Sequence, residues 1–358
     1  MRITFVVPAL NMSGGLRVIS IYAKLLTERG HILTIVSPKE KTPSLKQRIK
    51  HILQWKGYQF KSGFDTIYFE NVDYNIVVTN KVESVLAKDV PDGDVVIATW
   101  WLTAEWLNKL PESKGRKVYF IQGYDAYDNI QKEKVEQTYY FPFYKITIAN
   151  WLVSVMKGGY QSKQIDLVPN SVDFNLFAGV ERVKPKRPTI GFLFSEAKCK
   201  GVADSLKVLE KLKNKLPNLR IISFGVQAPE EIALPEYIEL SINPKQTEIS
   251  GIYQQCDLWL CCSLSEGFGL TLLEAMACRT PCVSTKCGGP EDIVDEGVNG
   301  FLCEVGDIDA LTDASYKVLS CNEVIWQEYS NQAYKHANAY TWNDAADLFE
   351  ASLLKSVN

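Results

Sequence analysis

Two glutamates separated by seven residues stand in the stretch SLSEGFGLTLLEAMACRTPCVSTKCGGPEDI, residues 263–293. Glu266 lies in a loop broken by Gly267 and Gly269, and Glu274 lies within an apolar segment typical of a buried helix. Glycines let backbone amides converge, and the N-terminus of a helix favours an anion such as phosphate. An unpaired buried carboxylate would cost several kcal/mol, so Glu274 needs hydrogen-bond donors.

The hydrogen-bond donors that Glu274 needs can come from either of two sources. In the first, TLLE is a capping box in which Glu274 turns back on Thr271 at the start of the helix. In the second, the carboxylate accepts hydrogen bonds from vicinal hydroxyls of a bound ribose, while the loop amides hold its phosphates. The pattern of this segment leaves both interpretations open.

Short β-rich segments alternate with helical ones along the chain. The predicted strands are 2–10, 31–37, 94–99, 117–122, 144–150, 164–170, 189–195, 220–225, 237–242 and 258–263. A chain of 358 residues exceeds what one hydrophobic core usually serves. Two successive alternations therefore predict an α/β fold with two doubly wound parallel-sheet domains.

The basic, proline-bearing segment ERVKPKRP marks the place where the pattern restarts, so the domain boundary is predicted near residues 170 to 188. We predict Rossmann-like domains at 1–170 and 171–340 and a C-terminal helix at 341–358 that packs on either domain. In such sheets ligands bind beyond the carboxyl ends of the strands, so two facing domains predict a cleft between them.

The composition excludes several function classes. A net charge of -3 with 23% charged residues gives no overall attraction to nucleic acid. No apolar run approaches the ~20 residues needed to cross a bilayer, and the N-terminus MRITFVVPALNMSGG lacks the features of a signal peptide. The nine cysteines form no C-x-x-C and only three histidines are present, which indicates a reduced, cytoplasmic protein without a zinc site.

Six further motifs follow one another along the chain. They are PALNMSGG, RGHILTIVS, LVPNSVDFNLF, CKGVADSL, GGPEDIVDEGVNGFL and YTWNDAADLF. Together with the two glutamates, they resemble retaining glycosyltransferase family four, which has an E-x7-E signature and the GT-B fold of two facing Rossmann-like domains. The matches span nearly the whole chain in the order that the family shows.

The resemblance implies that a sugar is transferred from a nucleotide diphosphate donor with retention of its anomeric configuration. It implies that Glu274 binds the donor ribose, that Glu266 holds hydroxyls of the transferred sugar, and that Lys200 pairs with the diphosphate. The implied amide contacts to sugar and phosphate come from Gly267, Phe268, Gly269, Leu270 and Thr271. No metal cofactor is required in this scheme, and a uridine donor is favoured by its frequency in the family.

The chain departs from the family pattern at two positions. Members commonly carry an arginine before the phosphate lysine, whereas this chain has Lys198, which either substitutes for it or is a solvated surface lysine. Members also carry a histidine after the middle strand of the first domain, where Gln122 stands here. Glutamine donates and accepts hydrogen bonds but does not exchange protons at neutral pH, so its expected role is positioning. The segment around Ile242 is expected to read the base.

The first domain is expected to bind the acceptor. The candidate acceptor residues are Gly14, Arg17, Trp101, Tyr124 and Asp125. Gly15 beside them is expected to let donor phosphate approach closely, although an ordinary helix-entry turn explains the two glycines equally well. The aromatic side chains follow strands and line either a sugar pocket or the core.

Residues 39–61 contain seven Lys/Arg residues against Glu40 alone, with leucines and isoleucines at helical spacing. This pattern is typical of a basic amphipathic segment at an anionic membrane, which would place a lipid-linked acceptor at the inner face of the cell membrane. A solvated helix with its apolar stripe on the core is the alternative. The DGD at Asp92–Asp94 precedes a predicted buried strand and is interpreted as a turn rather than a metal site.

The favoured function is thus transfer to a glycan or lipid-linked glycan in the assembly of cell-surface polysaccharide or glycoconjugate, by a bacterial enzyme. A phosphorylase-like enzyme would need a pyridoxal-binding lysine and a much longer chain. A dehydrogenase would need a G-x-G-x-x-G after the first strand, which is absent. A non-catalytic subunit that binds nucleotide-sugar stays open because of the missing arginine and histidine.

Overall fold

The computed structural model describes residues 1–11, 13–40, 67–70, 72–127 and 130–358. The chain forms two compact units. The first unit contains Met1–Thr147, Val153–Val168 and Ala346–Asn358, and the second contains Ile148–Leu152 and Pro169–Ala345.

The first unit is built on a parallel sheet of seven strands. These are β1 (Arg2–Val6), β2 (Ile32–Lys39), β3 (Asn75–Val82), β4 (Val95–Ala98), β5 (Arg116–Ile121), β6 (Tyr144–Thr147) and β7 (Ile165–Leu167). Their order in the sheet is β3-β2-β1-β4-β5-β6-β7. The central strands are short apolar runs because helices cover both faces of a parallel sheet. All four residues of β4 and of β6 are buried.

Helices connect these strands. They are α1 (Gly14–Glu28), α2 (Trp101–Asn108), α3 (Lys132–Tyr139) and α4 (Asn150–Gly158). Helix α1 begins after Ser13, whose side chain accepts a hydrogen bond from the Leu16 amide, and it ends before Gly30, which has φ +87°. Such a left-handed residue ends a helix at little cost only when it is glycine.

The second unit contains a parallel sheet of six strands. These are β8 (Thr189–Leu193), β9 (Arg220–Gly225), β10 (Ile238–Ile242), β11 (Leu258–Cys261), β12 (Cys282–Thr285) and β13 (Gly300–Cys303), in the order β10-β9-β8-β11-β12-β13. The helices are α5 (Phe174–Phe177), α6 (Val202–Lys215), α7 (Gln246–Gln254), α8 (Leu270–Ala277), α9 (Ile308–Ser320), α10 (Glu323–Ala337) and α11 (Trp342–Val357).

Helix α11 completes the core of the first unit. The Phe349 ring is fully buried and stacks on Tyr22 at 4.3 Å, with Phe5 and Phe120 at 6.1 and 5.1 Å. In the same helix Glu350 accepts hydrogen bonds from Arg29 at 2.9 Å and pairs with His31 Nε2 at 2.7 Å. The last residues of the chain thus pack on its first strand and first helix.

Two observations concern the predicted relation of the protein to a membrane. Within the described ranges, no helix combines the length and the apolar character needed to cross a bilayer. Of the basic segment 39–61, residues 41–61 lie outside the described residues, so its membrane contact stays a prediction.

Candidate functional site

The loop between β11 and α8 carries Glu266, and Glu274 lies in α8 itself. Gly269 has φ +99° and is the N-cap of α8, which has no side-chain cap. A residue with a side chain would be strained at this φ, so glycine sets the point where the helix begins. The first amides of α8 therefore lie at the end of this loop without a capping side chain.

Glu266 pairs with a lysine from another loop. Lys200 Nζ donates to Oε1 and Oε2 of Glu266 at 2.7 and 2.9 Å, and Ser263 Oγ donates to Oε1 at 2.8 Å. The side chains of Lys200 and Glu266 are 30% and 11% exposed. Burial lowers the pKa of Lys200, but the Glu266 carboxylate more than offsets this effect, so the pKa lies above its usual value. The lysine therefore carries a positive charge at neutral pH.

Glu274 lies inside the domain at 3% exposure. Tyr253 in α7 donates its hydroxyl hydrogen to Glu274 Oε2 at 2.9 Å. Because Gly269 is the N-cap, Glu274 is the fifth residue of the helix and does not occupy the N3 position that a capping box requires. The structure therefore removes the capping-box interpretation, and the ribose role stays a prediction.

The loop after β12 forms backbone hydrogen bonds to the loop that carries Glu266. The Glu266 amide donates to Cys287 O at 2.9 Å, and the Gly289 amide donates to Glu266 O at 3.0 Å. A Cβ atom on Gly289 would lie 2.2 Å from Phe268 O, so only glycine allows the two backbones to approach this closely. The GGPED motif thus fixes the position of the loop that carries Glu266.

The other two residues predicted to bind the donor from the second domain, Lys198 and Ile242, are exposed. Lys198 is exposed at the start of a short turn that ends at Lys200. Ile242 is 52% exposed at the end of edge strand β10. Neither placement tests its predicted role.

Residues 175–338 match the family model described as glycosyl transferases group 1. All of these residues lie in the second unit, which contains Lys200, Glu266 and Glu274. The similarity to glycosyl transferases group 1 thus lies in the second unit.

Curated relatives match parts of the chain. It is 41% identical over 80 residues to N-acetyl-alpha-D-glucosaminyl L-malate synthase of Bacillus anthracis, which is 22% of this chain and 21% of that protein. It is 28% identical over 212 residues to D-inositol 3-phosphate glycosyltransferase of Mycobacterium avium, which is 54% of this chain and 50% of that protein. The chain thus spans half the length or less of these relatives.

A solved structure matches the whole chain. HepE of Anabaena, in complex with UDP and glucose, aligns with a TM-score of 0.74 at 14% identity and covers 99% of this chain and 100% of that chain. This likeness and the two parallel sheets confirm the predicted GT-B fold of two Rossmann-like domains.

The segment that matches the group 1 family model contains groups of complementary charge and hydrogen-bonding capacity. The Lys200 ammonium and the first amides of α8 can bind an anion. Glu266 and Glu274 can accept hydrogen bonds from hydroxyls, one at the surface of the site and one in its interior. Sequence reasoning missed Tyr253 and Ser263, although Ser263 lies two residues beyond the end of the buried strand β11, where residues of ligand sites are often found.

In the first unit, four of the candidate residues form two pairs. A Cβ on Gly15 would lie 3.4 Å from Gln122 Nε2, so the side chain of Gln122 packs over the start of α1. The Trp101 amide donates to Asp125 Oδ2 at 3.3 Å. Gly14 is exposed at the first turn of α1, and Arg17 is half-buried in it.

Aromatic side chains surround Asp125. The Asp125 amide donates to Tyr139 Oη at 2.9 Å, and the Tyr124 and Tyr160 hydroxyls lie 2.8 Å apart. Burial raises the pKa of Asp125 to about 7, against the opposing effect of the Trp101 amide. Trp101 is 5% exposed and thus belongs to the core, whereas Tyr124 and Asp125 are half-buried.

The DGD segment has the contacts of a turn. Asp92 pairs with Lys114 at 2.8 Å, and Asp94 Oδ2 accepts from the Arg2 amide at 2.6 Å. Among the residues that the structure describes, no group of three or more His, Cys, Asp or Glu side chains is arranged to hold a metal ion.

Proposed function

We propose that the protein transfers a sugar from a nucleotide diphosphate sugar, with uridine the favoured base, to a glycan or lipid-linked glycan with retention of anomeric configuration. The observation that carries this proposal is the cluster of Lys200, Glu266 and Ser263 beside the uncapped N-terminus of α8. The group 1 family match and the names of the curated relatives support it.

This cluster can stabilise the charges that develop on the diphosphate and on the sugar during the proposed reaction. Negative charge grows on the departing diphosphate while the sugar becomes oxocarbenium-like. A fixed ammonium and helix N-terminal amides stabilise that distribution more than the ground state. In this proposal the Lys200 ammonium binds the diphosphate of the donor, and its ion pair with Glu266 weakens. The Glu266 carboxylate then accepts hydrogen bonds from hydroxyls of the transferred sugar. No metal ion is needed for these steps.

The acceptor and the setting belong to the same proposal. We infer a glycan or lipid-linked acceptor, bound by the first unit near Tyr124 and Asp125, in assembly of cell-surface polysaccharide or glycoconjugate. The basic segment 39–61 would bring the protein to the inner face of an anionic membrane.

A panel of nucleotide-sugars tests the donor. A ligand at a hundred times its Kd adds about 2.7 kcal/mol of stability, so thermal shift identifies the preferred donor. Hydrolysis of that donor without acceptor then measures turnover, and NMR of the released or transferred sugar reads its anomeric configuration. We expect one uridine diphosphate sugar to stabilise the protein most and to be hydrolysed slowly with retention. Inversion or the absence of any shift would contradict the proposal.

A second candidate function is a non-catalytic subunit that binds nucleotide-sugar. Gln122 at the position of the family's histidine favours it, since this side chain cannot exchange protons at neutral pH. Stabilisation by a nucleotide-sugar without hydrolysis or transfer would select this candidate.

A further inference from the structure

Trp151 contacts the loop of the candidate donor site. It is the second residue of α4 and lies in the part of that helix that belongs to the second unit. Its indole Nε1 donates a hydrogen bond to Gly267 O at 3.0 Å. Gly267 directly follows Glu266, so the bond reaches the loop next to the proposed sugar-binding carboxylate.

The indole of Trp151 lies in close contact with the backbone of Gly288. A Cβ atom on Gly288 would lie 2.6 Å from Cε2 and 2.7 Å from Nε1 of Trp151, and 2.8 Å from Glu266 O. The ring thus lies directly against the backbone of the loop after β12. Real Cβ atoms do not approach so closely, so glycine at this position is what allows the indole to reach Gly267.

The turn that carries Trp151 is itself anchored. The Asn150 amide donates to Asp292 Oδ2 at 2.7 Å, and Asn150 Nδ2 donates to Oδ1 at 3.1 Å. Asp292 ends the short helical turn Gly289–Asp292 that follows Gly288. The indole is therefore fixed both by its backbone and by its ring.

Peptide geometry links this hydrogen bond to the proposed chemistry. The peptide that joins Gly267 to Phe268 is planar and trans, so its carbonyl and its N–H point in opposite directions. Glycine at position 267 gives this peptide unusual freedom to rotate. A donor that holds the Gly267 carbonyl therefore also sets the direction of the Phe268 N–H, one of the amides expected to contact the donor.

We propose that Trp151 is a positioning residue of the donor site, which holds the Gly267–Phe268 peptide so that the Phe268 N–H stays directed at the transferred sugar. The inference rests on the proposed function, because it assigns a purpose to the orientation of this loop. It adds a residue 116 positions away from the loop along the chain.

Trp151→Phe tests the proposal because it keeps an aromatic ring and removes the N–H donor. Trp326→Phe is the matched control, since Trp326 Nε1 donates to Asp257 O at 2.9 Å, a backbone carbonyl outside the donor loop. Both variants are measured for thermal stability, for kcat and KM of donor hydrolysis, and for affinity to UDP and to the UDP-sugar that stabilises the wild type most.

We expect kcat of Trp151→Phe to fall about tenfold or more, because small displacements of positioned groups have large effects on rate. Affinity for UDP should stay within about twofold, and the extra affinity conferred by the sugar should be lost. Trp326→Phe should lose stability and keep the wild-type kcat.

Three results would overturn the inference: a wild-type kcat in Trp151→Phe, equal kinetic losses in both variants, or a loss confined to melting temperature. A wild type that binds UDP-sugar without turnover contradicts the proposed enzyme but not this inference, which then requires Trp151→Phe to lose the sugar-dependent part of the affinity. A wild type that binds no nucleotide-sugar contradicts both.

Discussion

Glu274 is a buried carboxylate in an otherwise apolar part of helix α8. Its carboxylate is 3% exposed and accepts the Tyr253 hydroxyl, in a helix whose other buried residues are apolar. Hydrophobic residues would fill this position at lower cost if only packing mattered. A carboxylate beside the first amides of α8 is suited to bind vicinal hydroxyls instead.

Replacing Glu274 by Gln tests that role. The side chain keeps its size but loses charge-assisted acceptance, so affinity for UDP should fall by roughly 1.5 to 3 kcal/mol. Glu266→Gln should bind UDP almost normally and transfer more slowly, because that residue is assigned to the sugar. Calorimetric titration of both variants measures the difference. Wild-type affinity in Glu274→Gln would leave Glu274 a structural partner of Tyr253.

Lys200→Ala should reduce turnover more than donor affinity. Its ammonium matters most when the diphosphate departs, so we expect kcat to fall about 10²- to 10³-fold with a smaller change in donor Kd. Lys207→Ala, which removes an exposed lysine paired with Asp204, is the control and should leave both values unchanged. A change in KM alone would show that Lys200 contributes only to binding.

At the scale of elements, the sequence predicts those features that depend on neighbouring residues. The start of α8 follows from the glycine pattern around Leu270, and β4, β8 and β11 follow from apolar runs. Strand β3 was not predicted because NIVVTNKV lies at a sheet edge and is largely exposed, which breaks the apolar run with polar residues. Strands β12 (CVST) and β13 (GFLC) were not predicted because serine, threonine and glycine interrupt their apolar runs, whereas β4 (VVIA) and β11 (LWLC) are apolar throughout.

Contacts between distant elements could not be read from the sequence. Tyr253 reaches Glu274 from a neighbouring helix, and Trp151 reaches Gly267 from a different part of the chain. Both depend on the tertiary arrangement, and no local pattern distinguishes either aromatic residue from a core residue. The candidate residues themselves could be named from sequence motifs, and their roles stay predictions, whereas the groups that contact them could not be named.

Arg182, in the connection between α5 and β8, forms an ion pair with the buried Asp257, which directly precedes β11, and this pair makes stability depend on pH. Arg182 lies 3.7 Å from Asp257, whose side chain is fully buried and accepts the Thr189 amide at 2.8 Å. Burial raises the pKa of Asp257 from 3.8 to about 6, although the Thr189 amide and the charges of Arg182 and Lys184 oppose this. The folded protein thus binds this proton more tightly than the unfolded chain does.

The sign of the pH effect follows from that difference. As pH falls from above 6 toward 4, folded Asp257 takes up a proton while the unfolded chain stays ionised, so this group increases stability as the solution becomes more acidic. The full effect is about 3 kcal/mol on the linkage relation. Urea unfolding of wild type and Asp257→Asn between pH 4 and 7.5 measures it. Their difference in stability should change with pH in this window, and a constant difference would contradict the assignment.

At the scale of the whole molecule, the C-terminal helix α11 packs against the N-terminal part of the chain. Helix α11 starts in the second unit, and from Ala346 onward its residues belong to the first. The family motif YTWNDAADLF, at the start of the predicted C-terminal helix, therefore contains core residues of the first unit. Phe349 is fully buried among aromatic rings, whereas its neighbour Leu348 is 44% exposed.

Phe349→Ala should therefore destabilise a unit whose other residues lie almost entirely in the first half of the chain. Removing a buried aromatic side chain usually costs about 3 to 5 kcal/mol, through lost burial and the cavity that remains. Leu348→Ala is the matched control and should cost less than about 1 kcal/mol, because that side chain is largely solvated. Hydrogen exchange followed by mass spectrometry should show faster exchange in β1, β5 and α1 for Phe349→Ala, with β8, β11 and α8 unchanged. Equal effects of both substitutions, or faster exchange confined to the second unit, would show that α11 does not complete the first core.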